Sequence, residues 1–391
     1  MADMALIEQK LQQALNEKET SHSLRSLRFP VSDSHLHKLI DFCSNDYLGF
    51  SRSKILAKRI KETEDKYHGA LIGSTGSRLI SGNTRFCEEL EDRVAKFHHA
   101  ESGLIFNSGY DANLGIFSSI PQRGDTILYD QLVHASIRDG IRLSFARAYS
   151  FEHNNLEDLE RRLKLSTGNI FVAAESVYSM DGDSAPLPEM VELCNCYGAN
   201  LVVDEAHATG VFGERGEGKV VKLGLEKKVF VRLHTFGKAL GCHGAIVVGS
   251  KALRSYLINF ARSFIYTTAL PFHSLISISC AYDLLYSDEE ERAKLRDRIS
   301  YFKDKSFQQL ALSDHHKLIR SDSAIQCLII PGNENVKMVA HDLQVAGFDV
   351  RPILHPTVTK GAERLRICLH AFNTENEVDG LMQALCIDFH P

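Results

Sequence analysis

Short apolar runs recur through the middle of the chain, and each is followed by small residues and then by a segment with helical spacing. The clearest runs are NIFVAAES (169–176), NLVVDEA (200–206), VFVRLHTFG (229–237) and AIVVGS (245–250). Continuous apolar strands are typical of a parallel sheet covered by helices on both faces, whereas a sheet with one solvated face alternates apolar and polar residues. The pattern therefore predicts an α/β fold in which these four runs are strands of a parallel sheet.

Segments with apolar residues at helical spacing and charges between them alternate with these strands. They cover residues 86–99, 156–165 and 188–198. After about residue 280 the pattern of predicted elements changes. It consists of a charged helix (288–312), two strand candidates (324–332 and 364–372) and a helix near 335–346. The pattern predicts three parts: an N-terminal helix and arm over 1–45, a large α/β domain over 46–280, and a smaller α+β domain over 281–391.

Composition excludes several classes of protein. Hydrophobic residues make up 44% and charged residues 24% of the 391 residues, which is ordinary globular usage. Basic residues number 45 and acidic residues 50, for a net charge of −5, so the basic excess that nucleic-acid binding draws on is absent. No run approaches the roughly 18 apolar residues of a membrane span, and the charged first twenty residues do not form a signal peptide. We expect a cytoplasmic protein with no nucleic-acid or membrane partner.

The nine cysteines are scattered and odd in number, which does not fit a disulfide framework. The closest pair, Cys194 and Cys196, forms a C-x-C that matches neither a redox C-x-x-C nor a paired zinc pattern. We expect reduced thiols and no metal site.

Polar groups follow the apolar run LVVDEAHATG (201–210), where Asp204 and His207 would lie at the carboxyl edge of the sheet. That edge is the usual place for a site in an open α/β sheet. A charged Asp204 at the end of a buried strand needs a cationic partner, and the protonated ring nitrogen of a cofactor would supply one. The alternative is that Asp204 caps the segment that follows.

Lys238 lies in a glycine-flanked turn, HTFGKALG (234–241), directly after a predicted strand. A lysine held in a pocket can have a lowered pKa and form an imine with an aldehyde, so that it acts as nucleophile and base. The alternative is a solvated turn lysine. Because Ala239 follows Lys238, the G-K-[ST] of a phosphate loop is excluded.

A third set of residues stands where a helix is expected to begin, in FNSGYDANLG (106–115). Backbone N–H groups around Ser108, Gly109 and Tyr110 could hold a phosphate there, or the residues could simply form a turn and a cap. Nearby, His134 could lie against a planar ring or be an interior histidine with its hydrogen bonds satisfied.

Taken in order, these motifs resemble a known family. S-G-Y, H-A-S, E-S-V-Y-S-M-D-G-D (175–183), D-E-A-H-A-T-G and T-F-G-K are similar to the α-oxoamine synthases, which are pyridoxal-phosphate enzymes. The likeness extends from DFCSNDYLGF (41–50) to RLRICLHAFN (364–373). It implies fold type I, the aspartate aminotransferase-like fold, with a large, mainly parallel sheet domain and a smaller α+β C-terminal domain.

The resemblance also implies roles for individual residues. Lys238 would hold pyridoxal phosphate as an imine, Asp204 would pair with the pyridine nitrogen, and His134 would stack on the ring. The other residues that the resemblance places at the cofactor are Ser108, Gly109, Tyr110, Glu175, Ser179, His207, Thr235, Thr267 and Thr268. Of these, Ser179 and His207 would lie near the phenolic oxygen, and Gly109, Tyr110 and Thr235 at the phosphate.

Two further implications concern partners. Thr267 or Thr268 would reach the phosphate of the neighbouring subunit, so a homodimer with shared active sites is implied. Asn45 and Arg366 match positions that bind the amino-acid carboxylate, a group for which a guanidinium fork is well suited. In the family's reaction, the freed lysine amine removes the α-proton of the amino acid, the carbanion attacks an acyl thioester, and carbon dioxide and the thiol are released.

Four activities share this chemistry: 8-amino-7-oxononanoate synthase, glycine C-acetyltransferase, 5-aminolevulinate synthase and serine palmitoyltransferase. The segments FARSFIYTTALP (260–271) and HPTVTKGAERLRICL (355–369) are most similar to the first, which condenses L-alanine with a pimeloyl thioester of coenzyme A or a carrier protein in biotin synthesis. Thr357 matches a position near the acyl chain. Arg25, with Arg28 close by, matches a substrate-side arginine.

One departure concerns the acyl site. Many members read R-P-P-T-V where this chain has Leu354-His355-Pro356-Thr357-Val358, so an arginine is missing unless Arg351, His355 or Arg25 substitutes. Glycine, alanine and serine are not separated by any motif, since one methyl group is worth only about 1–3 kcal/mol of discrimination. The alternatives outside this family of reactions are an aminotransferase or β-elimination lyase on the same fold, and a non-catalytic partner subunit.

Overall fold

The structure is a computed structural model that describes residues 2–27, 39–67, 73–287, 289–309 and 317–387. The chain divides into two compact units. The larger unit comprises residues 45–179 and 183–295, and the smaller comprises 1–44, 180–182 and 296–391. The domain limits derived from the sequence, 1–45, 46–280 and 281–391, stay a prediction.

The strands are short, and six of the thirteen in the described residues lie where the sequence predicts strands. They are β1 Ile40–Asp41, β2 Ser102–Phe106, β3 Thr126–Asp130, β4 Arg147–Phe151, β5 Ile170–Glu175, β6 Ala199–Asp204, β7 Val231–Thr235, β8 Ala245–Gly249, β9 Lys317–Leu318, β10 Ile325–Ile329, β11 Phe348–Asp349, β12 Arg351–Ile353 and β13 Arg364–Cys368.

Helices closely cover the predicted helical segments 86–99, 156–165, 188–198 and 335–346, and further helices lie outside the predicted segments. The helices are α1 Ala2–Thr20, α2 Lys54–Glu64, α3 Arg85–Phe97, α4 Gly109–Ser119, α5 Ala135–Arg142, α6 Leu156–Leu165, α7 Leu187–Tyr197, α8 Lys219–Lys222, α9 Lys251–Phe260, α10 Arg262–Ile265, α11 Phe272–Ser287, α12 Glu290–Gln309, α13 Asn333–Val345 and α14 Glu375–Ile387. None of the helices in the described part of the chain has the length and apolar character to cross a bilayer.

The larger unit is built on a seven-stranded sheet with the order β2-β8-β7-β6-β5-β3-β4. The pairs β3–β4, β3–β5, β5–β6 and β6–β7 are parallel, which confirms the mainly parallel sheet. The prediction was wrong for AIVVGS, because β8 is antiparallel to both β7 and β2. The reason is the connection: only residues 236–244 join β7 to β8, and a parallel strand requires a crossover of a dozen or more residues.

Burial explains why the central strands carry continuous apolar runs. All six residues of β5 and the last four of β6 are buried. Seven of these ten residues, all apolar, pack in one hydrophobic cluster with residues of α4, α5 and α7. Parallel strands covered on both faces bury both sets of alternating side chains. The polar residues that end these strands, Glu175 and Asp204, therefore lie side by side at one edge of the sheet.

The smaller unit contains a four-stranded antiparallel sheet with the order β12-β13-β10-β9, and a parallel pair of β1 with β11. All five residues of β13 are buried. In this sheet Arg366 of β13 has Cys327 and Arg351 as its register partners.

Candidate active site

The carboxyl ends of β5 and β6 bring two acidic residues side by side. Glu175 and Asp204 are register partners and are 3% and 7% exposed. One oxygen of Asp204 accepts a hydrogen bond from the Ala206 N–H at 2.9 Å, and the other accepts one from Asn113 Nδ2 at 2.8 Å. The turn contact that the sequence offered as an alternative for Asp204 thus coexists with a second, side-chain contact that keeps the carboxylate at the strand end.

Glu175 organises the neighbouring backbone. One of its oxygens accepts from the His134 N–H at 2.6 Å and the other from the Ser179 N–H at 3.3 Å. Burial, followed by the charge of Asp204, raises the pKa of Glu175 well above its ordinary value, while the charge of Lys238 and the two N–H groups act in the opposite direction. The carboxyl group therefore ties the His134 and Ser179 segments to the end of β5.

His134 is the residue that precedes α5, and its imidazole caps the helix: Nδ1 accepts from the Ser136 N–H at 3.2 Å and lies 2.8 Å from Ser136 Oγ. Burial is the largest effect on its pKa and lowers it. The charge of Asp204 raises this pKa and that of Lys238 lowers it, and the net shift is downward. A neutral imidazole at this position offers a flat face to a planar ring.

Lys238 begins a short turn, Lys238–Leu240, in the loop that reverses the chain between β7 and β8. Its φ is +51°, in the left-handed region that non-glycine residues rarely adopt. Strained residues of this kind persist where the surrounding structure holds them, and they concentrate at functional sites. The side chain is half-buried, and its charge acts on the pKa of both His134 and Glu175.

The first turn of α4 approaches the end of β7 closely. A Cβ at Gly109 would come within 2.8 Å of Thr235 Cγ2, so glycine is required for the approach as it stands. Ser108 caps the helix, accepting from the Asp111 N–H at 3.0 Å, and the Tyr110 hydroxyl donates to Asp139. The N–H groups of a first helical turn lack intrahelical partners, so they are available to a phosphate.

Around His207 the structure adds a residue that the sequence reasoning missed. The Tyr47 hydroxyl lies 2.7 Å from His207 Nδ1 and donates to Asn45 Oδ1 at 3.1 Å. His207, Ser179 and Tyr47 are all buried in the described chain. The motif that contains Asn45 carries the signal, since Tyr47 is only two positions further along.

Thr267 and Thr268 lie beside Asn107, the residue that precedes the proposed phosphate-binding turn at Ser108. Asn107 Nδ2 donates to Thr267 Oγ1 at 3.1 Å and to the Thr268 carbonyl at 2.7 Å. These contacts are made within one chain, and a reach of either threonine into a neighbouring subunit stays a prediction. Thr235 is half-buried, with its hydroxyl 3.4 Å from the Ala206 carbonyl.

In the smaller unit, two of the predicted substrate residues meet. Arg25 Nη2 donates to Thr357 Oγ1 at 3.1 Å. Arg28 lies outside the described residues. Arg351, offered as a substitute for the missing arginine, forms an ion pair of 2.6 Å with Asp349.

Arg366, the predicted carboxylate-binding residue, is also in the smaller unit. It is 8% exposed, and its Nη1 lies 2.9 Å from Cys368 Sγ.

The residues present fit pyridoxal phosphate. A buried, hydrogen-bonded carboxylate suits a protonated ring nitrogen, a helix N-terminus with a glycine cradle suits a phosphate, and a strained, half-buried lysine suits imine formation. No group of three or more metal-ligating side chains converges in the part of the chain that the structure describes. All nine cysteines are free thiols.

Comparison with known proteins also indicates a pyridoxal-phosphate enzyme. Residues 37–385 match the family model for aminotransferase class I and II. The 8-amino-7-oxononanoate synthase of Emericella nidulans is 44% identical to this chain, over 96% of this chain and 94% of that protein.

Two solved structures are similar in fold. The serine palmitoyltransferase of Sphingomonas wittichii has a TM-score of 0.84 at 28% identity, covering 99% of this chain and 96% of that one. The 8-amino-7-oxononanoate synthase of Francisella tularensis has a TM-score of 0.77 at 29% identity, covering 90% and 97%. The chain thus belongs to the aminotransferase class I and II family of pyridoxal-phosphate enzymes, and within it to the α-oxoamine synthases, as an acyltransferase similar to proteins named 8-amino-7-oxononanoate synthase.

Proposed function

We propose that the protein condenses L-alanine with a pimeloyl thioester and releases 8-amino-7-oxononanoate, carbon dioxide and the free thiol, a step of biotin synthesis. The observation that carries the proposal is the grouping of Lys238, Asp204 and His134 at one sheet edge, in a chain 44% identical to a protein named for this reaction. A non-catalytic role does not need these three side chains together.

When bound, pyridoxal phosphate supplies an aldehyde carbon that forms imines with amines and a ring that accepts negative charge from the substrate α-carbon. In the proposal, Lys238 Nζ would hold the cofactor, and its free amine would take the proton from the α-carbon of the amino acid. Asp204 would hold a proton on the ring nitrogen, since its buried carboxylate would stabilise a positive charge there. His134 would orient the ring, and the first turn of α4 would bind the phosphate.

The amino-acid carboxylate requires a cation, and Arg366 provides a planar guanidinium that suits two parallel hydrogen bonds. We assign Asn45 to the same substrate. Its contact with Tyr47, and through it with His207, gives Asn45 a defined orientation. Loss of the carboxylate as carbon dioxide follows carbon–carbon bond formation, so Arg366 must hold the group without protonating it, and a guanidinium meets this condition because it stays charged.

At the acyl end of the proposed site, this chain has Leu354 at the position where many members of the family have an arginine. Arg25 donates to Thr357, three residues further along, and so brings a guanidinium to the loop that lacks one. A pimeloyl chain ends in a carboxylate, which Arg25 would pair with. Arg351 is a weaker candidate because Asp349 already neutralises it.

The proposal extends to partners and location. The acyl group would be carried by coenzyme A or by an acyl carrier protein, and the protein would act as a homodimer in which Thr267 and Thr268 complete the neighbouring phosphate site. Nine free thiols suit a reducing compartment, so we propose the cytoplasm.

A second candidate is another α-oxoamine synthase, such as serine palmitoyltransferase or glycine C-acetyltransferase. The observation in its favour is the TM-score of 0.84 with the Sphingomonas wittichii serine palmitoyltransferase. The reaction is the same in kind, but the amino acid and the acyl chain differ.

A substrate matrix tests the proposal. The cofactor-loaded protein is given L-alanine, glycine or L-serine, each with pimeloyl-, acetyl- or palmitoyl-CoA, and free thiol, carbon dioxide and product mass are measured. We expect only L-alanine with pimeloyl-CoA to give all three at a substantial rate. Release of thiol and carbon dioxide with another pair identifies that pair as the substrates and overturns the assignment, while transamination without thiol release overturns the reaction class.

A further inference from the structure

We infer that Asn113 and Ser136 are positioning residues that form a directed hydrogen-bond relay from Asp204 to His134, and that this relay holds His134 as the neutral tautomer with its proton on Nε2. The inference rests on the proposed function, because the tautomer of His134 affects the reaction only when His134 and Asp204 face the cofactor. Neither Asn113 nor Ser136 was identified from sequence spacing.

The relay begins at the Asn113 side chain, which is 2% exposed on α4. An ionised carboxylate only accepts hydrogen bonds, so the amide must present its NH₂ group to Asp204, as it does at 2.8 Å. The second hydrogen of the same NH₂ is directed to Ser136 Oγ at 3.0 Å. Both Asn113 donors are thereby used, and the orientation of the amide is fixed by the charge of Asp204.

The next step is the Ser136 hydroxyl, which is 1% exposed. Its oxygen accepts from Asn113, so its own hydrogen is free to point at His134 Nδ1, 2.8 Å away. The Ser136 N–H approaches the same nitrogen at 3.2 Å, because His134 caps α5. Two donors converge on His134 Nδ1, and a protonated Nδ1 would oppose both of them. The ring proton of neutral His134 must then be on Nε2.

This arrangement has a chemical consequence. A charged imidazolium beside the cofactor would compete with the ring nitrogen for the negative charge of Asp204. The relay satisfies Nδ1 with neutral donors, and burial lowers the pKa of His134, so the imidazole stays uncharged. Asp204 then keeps its charge for the ring nitrogen, and His134 presents a neutral ring in one orientation.

The tautomer of His134 is directly measurable. In cofactor-free protein labelled with ¹⁵N-histidine, long-range proton–nitrogen correlation distinguishes the two ring nitrogens, and His134→Gln identifies the signal. We expect Nδ1 of His134 to be unprotonated in the native chain, Ser136→Ala to produce at least a tenth of the Nδ1–H tautomer, and Ser136→Thr to restore the native pattern. A protonated Nδ1 in the native chain, or an unchanged pattern in Ser136→Ala, would overturn the relay.

A second readout is cofactor affinity. Asn113→Leu keeps the shape of the side chain but removes both donors, and we expect about a tenfold weaker affinity for pyridoxal phosphate, the scale of one lost hydrogen bond to a charged group. Ser118→Ala, on the same helix, removes a hydroxyl that donates to the Leu114 carbonyl, and serves as the matched control. Equal affinities in Asn113→Leu and the control overturn the relay.

Failure of the hydrogen-bond relay and failure of the proposed function give different experimental results. Because the tautomer is read without cofactor or substrate, an intact relay in a protein that forms no product contradicts the proposed function alone. An altered tautomer in a fully active native enzyme contradicts the relay alone.

Discussion

Glu175 and Asp204 are register partners at the carboxyl ends of β5 and β6, and both are buried. Two carboxyl groups at adjacent strand ends repel each other when both are charged, which contributes to the raised pKa of Glu175 after the larger effect of burial. Lys238 opposes that shift, and the protonated ring nitrogen of a cofactor would add a second positive charge. The two acids therefore have different roles: Asp204 provides a negative charge, and Glu175 accepts hydrogen bonds from the backbone N–H groups of His134 and Ser179.

The role of Glu175 as a double hydrogen-bond acceptor predicts the effect of Glu175→Gln. Each Glu175 oxygen accepts an N–H, one from His134 and one from Ser179, so an amide NH₂ would meet a donor on either side. Leaving a buried donor unsatisfied costs about 1–3 kcal/mol. We expect a stability loss of that size, measured by urea unfolding, together with weaker cofactor binding. A Glu175→Gln variant as stable as the native chain would contradict this role.

The cradle between Gly109 and Thr235 can be tested with a compensating pair. Gly109→Ala adds a methyl group 2.8 Å from Thr235 Cγ2, which forces the helix N-terminus away from β7. We expect cofactor affinity to fall about tenfold or more in equilibrium dialysis. Thr235→Ser removes that methyl and keeps the hydroxyl, so the double variant should recover most of the loss. No recovery in the double variant would show that the steric contact is not the cause.

Arg25 is expected to recognise the far end of the acyl chain. In Arg25→Ala, KM for pimeloyl-CoA should rise about tenfold or more, because a charge-assisted hydrogen bond is lost. The matched control is heptanoyl-CoA, which has the same chain length and no terminal carboxylate, and its KM should not change. Equal changes for the two thioesters would mean that Arg25 acts on some other part of the substrate or on the fold.

The contacts of His153 with two aspartates predict that the free energy of unfolding depends on pH. Its Nδ1 lies 3.0 Å from Asp130 and its Nε2 2.7 Å from Asp183. Burial acts to lower its pKa, but the hydrogen bonds and charges of the two aspartates prevail and raise it from 6.5 to about 10. The stabilisation is therefore fully present below about pH 6.5 and is lost as the pH rises through 10.

Urea midpoints at pH 7 and pH 10.5 check this. The native chain should exceed His153→Gln in stability at pH 7, and the difference should shrink at pH 10.5. A difference that stays constant over this range would contradict a charged His153. His153→Gln is a suitable partner for the comparison because it keeps hydrogen-bonding groups and removes the charge.

Much of the fold followed from periodicity. The helix expected over 156–165 is α6, Leu156–Leu165, and the four central strands lie where the apolar runs predict. The direction of β8 did not follow, because an apolar run has the same composition in either direction. The length of the connection, residues 236–244, was the signal that could have shown the reversal.

The site was predicted unevenly for a physical reason. Lys238 and Asp204 carry charges in places where charge is costly, so they are visible in sequence. Asn113 and Tyr47 are neutral groups that act through partners 91 and 160 positions away. No local pattern reports such contacts, and only the packing of α4 and the segment around Tyr47 against the sheet edge brings them together.

The most direct test of the account is covalent trapping at Lys238. The cofactor-loaded protein is reduced with borohydride, digested, and searched by mass spectrometry for a pyridoxyl group. We predict that it lies on Lys238 and that Lys238→Ala, after dialysis, has lost the visible absorption band of the bound cofactor. A pyridoxyl group on another lysine, or a retained band in Lys238→Ala, would contradict the central claim.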